Sequence, residues 1–348
     1  MVRRILYGLL ALAPLVVLLH YVADLDPTLE FVLSALALIP LAWLIGEATE
    51  HAAEHTGPGI GGFLNATFGN APELIIALIA VHEGLTEVVR GSLTGSVIGN
   101  LLLVLGFSLI AGGVGRTDRA SSFVSFGLIA IATLLFMIVA VPGWDGDPDR
   151  DSLAHLTVPV SIALLVLYVI ATWYSLRRHR QQHVATGDEA QSGGWSFRLA
   201  LVVLGVATVA TALVAEVLVG SLEVFAEKAG LSDFFVAAVI VAIVGNAAEH
   251  GGAVLVAHRG KIQLAAEIAL SSAAQVAVFL IPAVALLSWL IDPIALSFRP
   301  VEIAMLAAAL LITVAVLFDA RTSRLRGGIL VAAYVGVAYV FFQAGERF

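Results

Sequence analysis

The chain contains no cysteine, only two lysines (Lys228 and Lys261) and few charges of either sign. Without cysteine there are no disulfides, no thiolate metal ligands and no cysteine nucleophile, and nothing to report on redox compartment. Charged residues make up 13% of the 348 positions and hydrophobic residues 60%, against roughly 25% and 45–50% in an ordinary soluble domain. That balance excludes a soluble globular protein. The formal charge of −8 argues against nucleic acid as a partner. What the chain has in abundance is long apolar runs. A mean hydropathy of +0.99 places most of it in a bilayer, and at roughly 20 residues per spanning helix there is room for about ten or eleven crossings. Almost nothing remains for a separate soluble domain.

Runs bounded by Gly, Pro and charge fall at 5–22, 28–48, 60–81, 88–111, 122–141, 154–176, 198–220, 233–257, 262–290, 301–318 and 327–344. They predict an all-α integral membrane protein with eleven transmembrane helices. The first run follows Arg3 and Arg4 as a signal peptide would, but what comes after it is His20-Tyr21-Val22-Ala23-Asp24. That is no small-x-small cleavage site, so the run is read as a spanning helix. With eleven spans, thirteen of the 18 Lys and Arg residues fall on the side of the N-terminus. The other side receives Arg90, Arg150, Lys228, Arg299 and Arg347. The excess marks the cytoplasmic face and predicts an inside N-terminus and an outside C-terminus. The acidic loop from Trp144 to Asp151 then lies outside and reads as ordinary solvated loop. The one long polar stretch, 177–197, opens Arg177-Arg178-His179-Arg180 and reads as a cytoplasmic linker.

The segments on either side of that linker resemble each other. Gly69-Asn70-Ala71-Pro72-Glu73 recurs 176 residues later as Gly245-Asn246-Ala247-Ala248-Glu249, and the same offset pairs His82 with His258 and Ser96 with Ser272. Upstream, Glu50 and Glu54 align with Glu223 and Glu227. The chain thus divides into a leading helix (1–27), a first five-helix repeat (28–176), the linker (177–197) and a second five-helix repeat (198–348). An odd number of helices per repeat makes the second enter the membrane from the opposite face. Inverted repeats of this kind are an architecture of secondary transporters, with substrate near the midplane and alternating access by rocking about it.

Glu73 and Glu249 lie about 13 and 16 residues into their runs, roughly 20–24 Å deep at 1.5 Å per residue, entering from opposite faces. A carboxylate near the bilayer centre costs several kcal/mol unless it is paired, protonated or cation-bound, which marks it as functional. Asn70 and Asn246 precede the glutamates by three residues and share a helical face with them. Two carboxylates and two amide carbonyls form an oxygen-only ligand set suited to a hard cation such as Ca²⁺. Gly69 and Gly245, with Pro72 behind the first, can break each helix so that backbone carbonyls add further oxygens. Ser96, Ser272 and Gln275 on the following helices are either further donors or polar helix-packing contacts. Desolvated carboxylates hold protons near neutrality and a divalent cation between them displaces those protons, so cation and protons compete for one site.

These residues carry a resemblance. Thr67 through Ile75, continuing from Gly95-Ser96-Val97-Ile98-Gly99-Asn100 to Gly106, is similar to the first signature of the calcium/cation:proton exchanger family. Val244 through His250, with Ser272 and Gln275, is similar to the second. The resemblance implies an eleven-helix antiporter that uses a proton gradient to move Ca²⁺ out of the cytoplasm, and the short loops and termini favour a prokaryotic plasma membrane over an organelle. Ca²⁺ and H⁺ are then substrates, no cofactor is required, and Glu73 and Glu249 are shared ion and proton ligands. Glu50 and Glu223 are expected near the membrane faces and, with His250, on the ion and proton pathway. The chain departs from the pattern at Ala273, where a hydroxyl is expected, and at Glu267, where a small residue is expected. Exchange of Na⁺ or K⁺ for protons on the same scaffold therefore stays open. Two rivals belong to other classes. Glu50, His51, Glu54 and His55 could hold a catalytic zinc in a membrane hydrolase, but His51 and His55 align with Val224 and Lys228 whereas the glutamates have equivalents. A passive cation channel would have less use for paired carboxylates.

Overall fold

The structure is a computed structural model that describes residues 2–23, 25–56, 64, 67–183 and 194–345. Helices α1 (Arg3–Val22), α2 (Pro27–Glu54), α3 (Ala71–His82), α4 (Thr86–Gly112), α5 (Arg119–Gly143) and α6 (Asp151–His183) precede the polar stretch. Helices α7 (Phe197–Ala229), α8 (Asp233–Gly245), α9 (Ala247–His258), α10 (Ile262–Leu290), α11 (Pro300–Leu317) and α12 (Arg324–Ala344) follow it. Among the described residues, nine of these are long and apolar enough to cross a membrane: all except α3, α8 and α9. The only strands described are β1 (Gly115–Arg116) and β2 (Arg321–Thr322), an antiparallel pair in which Gly115 faces Thr322 and Arg116 faces Arg321.

The helices begin where the sequence supplies caps. Asp26 accepts from the backbone N–H of Thr28 at 2.8 Å with Pro27 opening α2, and Asp118 accepts from Ala120 N–H at 2.8 Å ahead of α5. Ser196, Ser232 and Ser323 do the same for α7, α8 and α12. Gly230, at φ +67°, ends α7 in the left-handed conformation that glycine adopts without strain.

Two of the expected runs are interrupted. The run predicted over 233–257 is α8 and α9, with Asn246 in the turn between them (φ −87°, ψ 5°). The described part of the run predicted over 60–81 turns at Gly69-Asn70 (Asn70 φ −98°, ψ 16°) before α3. The two asparagines thus adopt nearly the same backbone conformation; Gly69 shares the first turn with Asn70, whereas Gly245 still belongs to α8 and Asn246 alone forms the second. Helices α3 and α9 start and finish at positions 176 apart, as the sequence offset requires. Helices α4 and α10 each contain a π-helical stretch, at Gly99–Val104 and Val276–Leu280.

Three elements outrun their apolar segments. Helix α2 continues from the predicted end at 48 to Glu54, and α7 from 220 to Ala229, because Glu, Ala and Lys at these positions are good helix formers with no glycine or proline before the cap. Helix α6 runs to His183, so Arg177-Arg178-His179-Arg180 is helical and the linker predicted from 177 begins as helix; its 184–193 portion lies outside the described residues. Helices α2 and α7 pack antiparallel, with Phe31 stacked on Phe225 at 4.2 Å and Lys228 paired with Asp26. The Lys228 ammonium, assisted by Thr28, pulls the Asp26 carboxyl down to about 2.

The crossing that positions the site is between α4 and α8. A Cβ on Gly95 would stand 2.0 Å from the carbonyl oxygen of Ala238, and one on Gly91 would stand 3.1 Å from Phe234. Only glycine lets the two backbones come this close. A second such crossing brings Gly106 of α4 against Gly327 of α12.

Candidate functional site

Each interrupted run places its glutamate third in a new helix: Ala71-Pro72-Glu73 opens α3 and Ala247-Ala248-Glu249 opens α9. The N-terminus of a helix carries partial positive charge, so a carboxylate in the first turn is stabilised there by the backbone itself. Buried in apolar surroundings that stabilisation is screened little by solvent. The break therefore favours a carboxylate and, at the same point, leaves the last carbonyls of the preceding segment without helical donors.

Glu73 is 8% exposed. Its side chain lies over the backbone of Gly245, where an added Cβ would be 3.3 Å from Glu73 Cγ and 3.8 Å from Oε1. Gly245 thus makes room for a carboxylate from the other half of the chain, a role beyond the helix-breaking one expected of it. Asn246, fully buried, donates from Nδ2 to Ser96 Oγ at 2.8 Å and to the carbonyl of Ala242 at 2.9 Å, and its Oδ1 accepts from Asn100 Nδ2 at 3.3 Å. Asn100 Nδ2 also donates to the carbonyl of Ser96 at 3.1 Å. A small cavity of about 10 Å³ lies at the same junction, lined by Glu73 and Ile76 of α3, Ser92, Leu93 and Ser96 of α4, and Val241, Ala242 and Gly245 of α8. That is about the room one water requires.

The structure therefore brings Glu73, Ser96, Gly245 and Asn246 together across the two halves. Asn70 and Ser272 are buried as well, at 1% and 4% exposure. Gln275 ends the α-helical part of α10, immediately before its π-helical stretch, and is half-buried. Glu249 and His250 lie in the first turn of α9, and their side chains fall outside the described residues, as does the structure of 57–63. Glu50 and Glu223 are exposed, each on the extension of its helix past the apolar run.

Two polar residues of the site were missed by the repeat argument. Asn100 and Ser92 align at the 176 offset with Val276 and Ile268, so a search for polar residues shared by both halves discards them. The usable signal was an asparagine in the middle of an apolar helix, four residues from Ser96.

A second buried polar cluster secures one end of α4. Arg90, 1% exposed, donates to Asp149 at 2.6 Å, to Glu87 at 2.7 Å, to Thr86 at 3.0 Å and to the Ser297 hydroxyl at 3.3 Å. Glu87 is shared with Arg299, whose Nε donates to it at 2.6 Å. Glu302, fully buried, accepts from Thr94 at 2.9 Å and from the backbone N–H of Arg299 at 2.7 Å. Asp149 belongs to the acidic loop read as merely solvated. In the structure it is the partner of a buried arginine.

The metal cluster considered for a hydrolase does not assemble. Among the described residues no three His, Asp or Glu side chains gather as metal ligands. His51 instead packs its ring against Trp195, with centroids 5.0 Å apart and planes tilted by 35°, and approaches Glu54 at 3.4 Å, and His55 contacts the carbonyl of His51 at 2.8 Å.

The Ca²⁺/H⁺ antiporter of Aphanothece halophytica is 36% identical, over 98% of this chain and 96% of its own. The Ca²⁺/H⁺ antiporter ChaA of Bacillus subtilis (strain 168) is 38% identical, over 90% and 91%. The solved structure of native YfkE superposes with a TM-score of 0.83 at 35% identity, over 97% of this chain and 99% of that one. The family model described as sodium/calcium exchanger protein matches residues 27–177 and again 199–343, and the chain belongs to that family.

Proposed function

We propose that the protein is a secondary antiporter that exchanges cytoplasmic Ca²⁺ for external protons, with Glu73 and Glu249 as the groups that hold either the cation or the protons. The observation that carries this reading is the meeting of the two halves at their helix breaks: Glu73 over Gly245, and Asn246 bonded to Ser96. Oxygen ligands at the interface of two repeats are what a cation carrier needs, because a rocking motion of one half against the other then changes access without dismantling either half. The names of its relatives as Ca²⁺/H⁺ antiporters support the choice of ions.

The nine long helices and the two interrupted runs together make eleven crossings, one leading helix and two five-helix repeats. The 176-residue spacing of α3 and α9 supports the duplication, and odd repeats make it inverted. The N-terminus is then cytoplasmic and the C-terminus external, in a plasma membrane. Within the site, Glu73 and Glu249 each sit at the positive end of a half-helix, which favours the charged form when Ca²⁺ arrives, and protons take the place of the cation when it leaves. Asn246, Asn70, Ser96, Ser272 and Gln275 supply neutral oxygens. Asn100 and Ser96 orient the Asn246 amide.

The test is cation flux in proteoliposomes. An imposed pH gradient drives Ca²⁺ accumulation, and a protonophore abolishes it. Ca²⁺ movement indifferent to the pH gradient would make the protein a channel. Proton-coupled flux of Na⁺ or K⁺ without Ca²⁺ would keep the scaffold and change the ion.

A further inference from the structure

The ribbon that joins α4 to α5 and α11 to α12 places two arginines face to face. Arg116 and Arg321 are directly paired across β1 and β2, and both are exposed. Like charges at opposed positions of a strand pair destabilise it, so the arrangement calls for an anion between them. Arg119 and Arg324, also exposed, open α5 and α12 beside the same ribbon. Two helix N-termini add their positive ends there. Two acids stand nearby, Asp118 and Asp319. Asp118, which caps α5, and Asp319, which pairs with Arg326 and lies beside Arg321, offset only part of it, so that Arg116, Arg119, Arg321, Arg324 and Arg326 leave the ribbon with an excess of positive charge.

Apolar side chains surround the arginines. Val114 is 90% exposed, Phe318 64% and Leu325 75%. The Arg119 guanidinium lies over the rings of Phe123 and Phe318, at 5.6 and 5.9 Å. Exposed aliphatic and aromatic groups next to an excess of arginines, at the ends of helices that cross the bilayer, match a lipid headgroup with its acyl chains and not a free ion in water.

We propose that this ribbon binds the phosphate of an anionic phospholipid, with Arg116 and Arg321 on the phosphate, Arg119 and Arg324 at its flanks, and Val114, Phe318 and Leu325 against the acyl chains. The ribbon also touches the start of α10, since a Cβ on Gly115 would meet Ile262 at 2.5 Å. A lipid held there braces the helix that carries Ser272.

Native mass spectrometry of the full chain tests this, with phosphatidylglycerol and phosphatidylcholine of matched acyl chains in competition. The wild type retains phosphatidylglycerol at least tenfold more tightly, and R116Q/R321Q binds it roughly thirtyfold more weakly at about one factor of five per arginine. R4Q/R198Q, which removes the same charge from other membrane-proximal positions, stays within twofold of wild type. Equal retention of the two lipids by the wild type overturns the proposal, whether or not the double variant folds. So does an equal loss in R4Q/R198Q, or full displacement by 10 mM inorganic phosphate, which would make the ligand a free anion.

Discussion

Replacing Gly95 by alanine should uncouple the two halves at the site, and the size of the effect follows from one distance. The added Cβ would stand 2.0 Å from the Ala238 carbonyl oxygen, whereas carbon and oxygen in contact need roughly 3.2 Å, given that well-packed atoms sit about 3.5–4.0 Å apart. The three nearest atoms, O, C and Cα of Ala238, are all backbone, so α4 and α8 must separate by about 1 Å. The next residue, Ser96, then moves away from Asn246, and their 2.8 Å hydrogen bond stretches past the limit of a useful one. Overpacking of this kind costs about 1–3 kcal/mol, and a buried amide that loses one of its two acceptors costs about 1 kcal/mol more. Gly99, four residues along the same helix, has nothing within 4 Å of its would-be Cβ. Gly99→Ala is the control, expected within about 1 kcal/mol of wild type. Thermal unfolding in detergent and equilibrium Ca²⁺ binding are measured on both. Gly95→Ala should lose several degrees in Tm and at least tenfold in Ca²⁺ affinity, and Gly99→Ala neither. Wild-type Tm and affinity in Gly95→Ala would refute the reasoning that this crossing sets the site.

Glu73→Gln and Glu249→Gln should each abolish exchange while leaving a folded, extractable protein, and more than a tenth of the wild-type rate in either would remove that carboxylate from the site. Glu50→Ala and Glu223→Ala should raise the KM for Ca²⁺ more than they lower the maximal rate, because both residues stand on exposed helix extensions; outright loss of equilibrium binding would put them among the ligands. Arg90→Gln should destabilise the protein by about 3 kcal/mol, the low end for an orphaned buried ion pair, since Asp149 is 35% exposed and can be rehydrated. Its Ca²⁺ affinity should stay within a few-fold of wild type, and a large loss there would tie the Arg90 cluster to the site.

The parts of the molecule visible in the sequence are those with a local signature. Nine apolar runs became helices, and the repeated Gly-Asn before each glutamate marked both interruptions, with Gly69 and Asn70 in the first turn and Asn246 in the second. Helix ends were harder. Hydropathy ends a span where charge begins, whereas α2, α6 and α7 continue past that point as helix. The long-range polar contacts had no signature at all. Arg90 finds Asp149 across 59 positions and Arg299 finds Glu87 across 212, and no pattern within either segment announces such a partner. Internal symmetry was informative and also misleading. It drew attention to Ser96 and Ser272 and passed over Asn100 and Ser92, whose counterparts are apolar.

The central claim is that one pair of carboxylates serves cation and proton in turn, and calorimetry in buffers of different ionisation enthalpy measures it directly. Ca²⁺ binding should release protons, approaching two per ion at pH values where both carboxylates begin protonated, and apparent affinity should fall as pH is lowered through that range. The titration should show two macroscopic steps that belong to the pair. Glu73→Gln or Glu249→Gln should remove about one proton from the count wherever binding survives. A count near zero for the wild type from about pH 5.5 to 8, with unchanged affinity, would contradict the account, because a site that takes up Ca²⁺ without giving up protons cannot exchange one for the other.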